Sequence, residues 1–173
     1  MGLQLIFVVE TNKRCKSDWI YVKDTVDHFY EYNNAYVKLT PVYMDGKGRY
    51  KNKEKEISTF ISQYSSTSKN NASIVIFCFD CDDFSSKPDD AAFLEEAQRY
   101  CKENGYEFVW FCKDIEQVYL GKQVSDKQKK AESVRFAANK EIKKVEGRKL
   151  QFSTYKIGTS NILAILDKYL TRK

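Results

Sequence analysis

Proline and glycine are scarce: two and seven in 173 residues. A sandwich or barrel of many tight turns draws on both, so their scarcity argues against those architectures. Long hydrophobic runs are missing too, since no stretch approaches the roughly 18 apolar residues of a membrane span. The first residues, Met1-Gly2-Leu3-Gln4-Leu5-Ile6, have no basic region and no cleavage site, so they read as strand and not as signal peptide. Position 6 is not Ser or Thr, which speaks against myristoylation. The expectation is a cytoplasmic protein with no membrane contact. Histidine occurs once, as His28, and no Ser, Cys or acid is spaced to make it a catalyst, so it reads as a surface or packing residue. The five cysteines form an odd set without a disulfide framework. Cys78 and Cys81 make a C-x-x-C, but zinc would need a second ligand pair, and a thioredoxin-type motif should open a helix. These thiols read as small, reduced, mostly buried side chains.

What remains is a globular composition, 42% hydrophobic and 14% aromatic, on a length sufficient for one domain with a real core. The net charge of +5 is uneven. Between Lys122 and Lys149 ten Lys or Arg face four acids, so the rest of the chain is near neutral. A basic segment on a balanced domain suits a polyanion, and a solvated amphipathic helix would look the same.

The chain is organised around residues 73–79, an apolar run rich in β-branched and aromatic types that predicts a strand buried on both faces. It runs into Asp80-Cys81-Asp82-Asp83. Three carboxylates in four positions repel one another, and a hard divalent cation with oxygen ligands, Mg²⁺ or Mn²⁺, relieves that repulsion. An acidic turn closing the strand is the plainer description.

In chain order, residues 3–9 predict a first strand ending on Glu10, followed by a basic loop with Lys13 and Arg14. Ser17-Asp18 read as the N-cap of a helix carrying Trp19, Val22, Val26, Phe29 and Tyr30 and stopping near Asn33-Asn34. Residues 36–44 are a second strand, which Pro41 marks as an edge. The loop 45–53 lacks the Gly-Lys-Ser/Thr ending of a P-loop. Ile57, Phe60, Ile61 and Tyr64 predict a short helix. The third strand follows, then a helix opened by Asp89-Asp90 and closed by Asn104-Gly105. A fourth strand covers 106–112 and leads into Lys113-Asp114-Ile115-Glu116. A basic helix over 126–142 and a last helix capped by Thr159-Ser160, with Ile162, Leu163, Ile165, Leu166 and Tyr169, complete the expectation.

Strands alternating with helices imply an α/β fold: a three-layer, Rossmann-like, mostly parallel four-stranded sheet with a helical C-terminal tail. Residues 1–121 form its core, and 122–173 a basic extension packing on the same domain. Glu10, the 80–83 acids and the 113–116 group then fall on one edge, because each follows the C-terminus of a strand.

A strand ending in Val8-Val9-Glu10 and a third strand ending in Phe79-Asp80-Cys81-Asp82, on such a unit, resemble the Toprim domain of topoisomerases, primases and the OLD and RloB-like nucleases. Phe111-Cys112-Lys113-Asp114-Ile115-Glu116, followed by Val118-Tyr119-Leu120, resembles the acidic motif after the fourth strand of RloB-like proteins. The resemblance covers residues 3–120. It implies a Mg²⁺- or Mn²⁺-dependent endonuclease, with phage defence or DNA or RNA processing as its setting. Glu10 would be acid/base or ligand, Asp80 and Asp82 would hold the metal, and Asp83 and Glu116 would serve a second ion. Lys13, Arg14 and Lys113 would meet phosphates, and Lys127, Lys129, Lys130, Arg135 and Lys140 would grip the nucleic-acid backbone without reading sequence. A partner ATPase or a homodimer is the company such a unit often keeps. The family usually has glycine after the glutamate, where this chain has Thr11. That departure keeps a non-catalytic Toprim-like binding module as the alternative. A receiver-like or other Mg²⁺-dependent phosphoryl-transfer domain is a further one, but receivers carry two acids after the first strand. Haloacid-dehalogenase-type phosphatases place Asp-x-Asp after the first strand, not the third.

Overall fold

Residues 1–173 are described by a computed structural model. The apolar run Leu3–Val9 forms strand β1, and helix α1 follows at Ser17–Phe29. A two-residue strand, β2 (Tyr30–Glu31), interrupts before β3 (Val37–Tyr43). After a 3-10 segment at Lys47–Lys53 come α2 (Glu54–Thr67), β4 (Ala72–Asp80), α3 (Pro88–Glu103) and β5 (Glu107–Cys112). The remainder holds α4 (Ile115–Leu120), α5 (Lys129–Ala138), β6 (Thr159–Ser160), α6 (Ile162–Leu166) and β7 (Thr171–Arg172).

The main sheet runs β3-β1-β4-β5-β6. Its first four strands are parallel, and β6 is antiparallel to β5. The α/β expectation therefore holds, with one short fifth strand added. Pro41 sits on the edge strand β3, where its missing N–H costs no ladder bond to a further strand. The chain moves from β1 outward to β3 and then back across to β4. Strand order thus reverses between β1 and β4, and such a reversal opens a crevice at the carboxyl ends of the two strands.

Alternating residues of the buried strands feed two cores. Leu5, Phe7 and Val9 pack with Tyr21, Val22 and Val26 of α1 and with Phe136, Leu163 and Leu166 from the C-terminal part. Ile6, Val8, Phe77 and Phe79 pack on the other face with Tyr50, Ile57, Leu94 and Ala97. Phe77 stacks on Phe79 (5.9 Å between centroids) and on Tyr106 (5.5 Å). The extension past residue 121 shares the first core, because Phe136 packs edge-on against Tyr21 at 5.0 Å and Tyr119 at 5.8 Å.

Several expected boundaries shift. The basic segment is not helical over 126–142: α5 ends at Ala138, Asn139 caps it, Lys140 turns left-handed (φ 52°), and 3-10 turns follow at Glu141–Lys144 and Gly147–Leu150. Thr159 and Ser160 are strand residues, although the Ser160 hydroxyl still accepts from the Ile162 N–H at 3.1 Å. The helix that follows stops at Leu166 and does not reach Tyr169. The first helix ends earlier than Asn33-Asn34, since Tyr30 and Glu31 pair with Arg172 and Thr171. No helix is long and apolar enough to cross a membrane. All five cysteines are free.

Candidate active site

Glu10 leaves β1 at the crevice, and Asp80 ends β4 beside it. A carboxylate oxygen of Glu10 accepts the backbone N–H of Asp80 at 2.9 Å, which ties the two strand ends together. The Asp80 carboxylate accepts in turn from the Ile115 N–H at 2.9 Å, so the start of α4 is fastened to the same point. Asp114 shapes that start as an N-cap, its side chain accepting from the Gln117 N–H at 2.7 Å. Gly121 closes the helix in the left-handed region (φ 69°), where a side chain is disfavoured. The six residues of α4 thereby present Glu116 inward, 1% exposed.

Asp18, in the first turn of α1, is buried like Asp80 and Glu116. It accepts from the Thr11 N–H at 3.2 Å and from the Ser17 hydroxyl at 3.4 Å. Ser17 and Asp18 do not cap α1, whose N-cap is Lys16 in the left-handed region.

These carboxyls raise one another's proton affinity. Glu10 is pushed up to about 8, first by loss of hydration and then by the charge of Asp18, while the Asp80 N–H and Lys47 oppose the shift. Asp18 goes up to about 6 through burial, held back by Lys129 and by its hydrogen bonds. Burial lifts Glu116 to about 7, again against Lys129. Asp80 is held well above the usual range by burial and then by Glu10, Asp18 and Glu116. Neither oxygen of the Glu116 carboxylate has a hydrogen-bond donor.

Two lysines enter this group. Lys47 pairs with Asp82 and lies 3.9 Å from Asp90. Lys129, from the first turn of α5, brings its Nζ to 3.9 Å from Glu116 Oε2. Burial works against its charge, but Glu116, Asp80 and Asp18 outweigh burial and hold the ammonium above its ordinary range.

Glu10 and Asp80 thus meet directly, Glu116 lies within charge range of Asp80, and Asp82 stands at the rim (φ 48°). Asp83 and Lys113 stand apart. Asp83 binds Lys113 at 2.6 Å and Lys87 at 2.8 Å, and these contacts, Lys113 first, hold its carboxyl down at about 2. Lys13 and Arg14 are exposed beside an open cavity of about 460 Å³ that Asn12, Tyr43, Asp45 and Lys53 also line. In the basic segment Lys127, Lys130, Arg135 and Lys140 are exposed. Arg135 is drawn to Glu132 at 2.5 Å. Lys129, expected among the backbone-gripping residues, instead turns inward to the acids.

Asp18 and Lys47 are site residues that the sequence reading passed over, and Lys129 was assigned elsewhere. A general signal existed for Asp18. The first turn of a helix that follows a parallel strand lies at that strand's carboxyl edge, so an acid there faces the crevice. Lys47, in an irregular loop, and Lys129, beyond the fourth strand, offered no comparable pattern.

As the side chains stand, no three His, Cys, Asp or Glu residues are grouped so as to hold a metal ion. The donors nonetheless fit a hard divalent cation in kind: all are carboxylate oxygens, burial and then their neighbours' charge raise the proton affinity of Glu10 and Asp80, and those of Glu116 are buried without a donor. No family model matches the chain, and no curated protein or solved structure matches it.

Proposed function

We propose that the protein cleaves phosphodiester bonds in nucleic acid with Mg²⁺ or Mn²⁺ held at this carboxyl edge, as Toprim-type nucleases do. The observation that carries the reading is the Glu10–Asp80 contact: a strand-end glutamate hydrogen-bonded to the backbone of a buried strand-end aspartate, with Asp82 two residues on. Asp80 and Asp82 would hold the cation, which when bound polarises a phosphoryl oxygen and makes water a better nucleophile near neutral pH. Glu10, with its carboxyl near 8, is suited to give and take a proton at Oε2 while Oε1 stays on the Asp80 N–H. Lys47, between Asp82 and Glu10, is a cation close to where phosphoryl charge would develop. Lys13 and Arg14 beside the open cavity, and Lys127 and Lys130 on α5 and its approach, supply exposed positive charge for backbone phosphates. A cytoplasmic setting belongs to this reading, and the five free thiols suit a reducing compartment.

The test is incubation of the full chain with Mg²⁺ or Mn²⁺ and labelled single- and double-stranded DNA and RNA. Cleavage is expected, and Asp80→Asn should abolish it while the far-ultraviolet dichroism stays native. No cleavage of any of these substrates, or undiminished cleavage by the variant, overturns the proposal. One observation favours a second reading, a nucleic-acid-binding module without chemistry: Asp82 and Asp83 are already matched by lysines of the chain itself. Binding that survives Asp80→Asn, with no cleavage by the wild type, would support that reading.

A further inference from the structure

Lys129 comes from a different part of the chain than the acids it meets. It opens α5, and α5 is fixed over α1 and α4 by the packing of Phe136 against Tyr21 and Tyr119. From there its half-buried side chain reaches in, its ammonium 3.9 Å from Glu116 and 3.6 Å from the exposed Asp126. The charges that hold the ammonium up against burial are Glu116, then Asp80, Asp18 and Asp126. At 3.9 Å from Glu116 Oε2 it acts through charge and not through a hydrogen bond, which is why both Glu116 oxygens remain without a donor. The acids are therefore divided between two lysines. Lys47 pairs with Asp82 and feels the charge of Glu10, while Lys129 stands against Glu116 and feels that of Asp80 and Asp18.

A two-metal phosphoryl-transfer site places its ions about 3.5–4 Å apart, and a second hard cation calls for oxygen ligands beyond those of the first. Two acids beyond Glu10, Asp80 and Asp82 had the sequence positions for that duty. Asp83 is turned to Lys113 and Lys87. Glu116 has the Lys129 ammonium against it. An ammonium is a compact charge with freely turning donors, able to neutralise several carboxylates without imposing a coordination geometry.

Resting on the functional reading above, we propose that Lys129 is a resident second cation. It fills by charge the place a second metal would take, so the site accepts one divalent ion per chain. Glu116 and Asp18 are the acids it serves, and removing its charge leaves them free to bind a second ion.

Mn²⁺ binding to the full chain, followed by calorimetry and by electron paramagnetic resonance, tests this. The wild type should take one ion and show the sharp hyperfine pattern of an isolated Mn²⁺. Lys129→Met should take two, with that pattern collapsed by coupling between neighbouring ions, and Lys129→Arg should stay at one. Two ions in the wild type overturn the proposal without any variant, so it stays falsifiable even if Lys129→Met does not fold. One ion in a folded Lys129→Met also overturns it. Those two results leave the metal-dependent nuclease reading standing, whereas no ion in the wild type overturns that reading and this one together.

Discussion

The carboxylate of Glu10 accepts the backbone N–H of Asp80 at 2.9 Å, so the end of the first strand is clasped to the end of its central neighbour. Glutamine at position 10 keeps an acceptor oxygen for that N–H and loses only the charge. At about pH 7 the carboxyl, with its value near 8, is mostly protonated, and Glu10→Gln should melt close to the wild type. Above about pH 8 the variant should be the more stable of the two in chelator. Cleavage should fall by about 10²-fold or more if Glu10 moves a proton in the reaction. Thermal melts at both pH values, alongside a cleavage assay, check both halves.

Stability without divalent cations should decline as the solution turns alkaline. Glu10, Glu116 and Asp18 sit at about 8, 7 and 6 in the folded chain, all above the carboxyl range of an unfolded one. Between those limits the folded state holds more protons than the unfolded state. The contribution of these three carboxyls is therefore full below about pH 4 and is lost as pH rises through about 8, at about 1.4 kcal/mol for each pKa unit a group is displaced. Mg²⁺ should restore most of the loss at the upper end and little at the lower, because there it competes with protons. Urea midpoints across this range, with Mg²⁺ and with chelator, would contradict the buried-acid geometry if they stayed flat.

Asp80→Asn and Asp83→Asn should part company although the residues are three apart. Asp83 makes two ion pairs at the surface, and breaking such pairs changes stability little. Its variant should retain cleavage within about tenfold of the wild type, on the reading that the surface pair with Lys113 lies outside the reacting group. Asp80→Asn should lose cleavage and, in chelator at alkaline pH, gain stability, since it removes a buried carboxyl that would there be forced to ionise among like charges.

The strand that carries Asp80 depends on its aromatic face. Phe77 is fully buried between Phe79 and Tyr106. Phe77→Ala should cost about 3–5 kcal/mol and lower the urea midpoint accordingly. Phe84→Ala, at a partly buried position, should cost visibly less.

Neutralising Lys127, Lys130 and Lys140 together should weaken binding to nucleic acid uniformly across sequences. Each phosphate contact removed should reduce the slope of log affinity against log salt by about 0.7–0.9. An unchanged slope in a fluorescence-anisotropy titration would move the binding face elsewhere.

The local pattern of the chain was enough for much of this. Period and residue type located β1, β3, β4 and β5, and Pro41 marked the edge strand, because a strand's identity follows from its own side chains. In an alternating α/β chain every parallel strand ends on the same side, so Glu10, Asp80 and Glu116 could be assigned to one edge before any coordinates. The tail was less legible. Its Lys-rich composition suits a long helix, but the segment breaks at Asn139 and Lys140 so that Ile142 and Leu150 can reach the core, and tertiary packing overrode propensity there.

Residue order by itself determined the class of fold, the buried strands and the rim on which the acids gather. Only the tertiary structure decided that β1 lies directly against β4, that Asp18 joins the acids, that Asp83 turns to lysines, and that Lys129 leaves the basic tail to sit among carboxylates. The physical reason is one of range. Periodicity and capping are settled among near neighbours in the chain, whereas which charges meet depends on how distant, separately legible elements pack, here on the contact of Phe136 with Tyr21 and Tyr119.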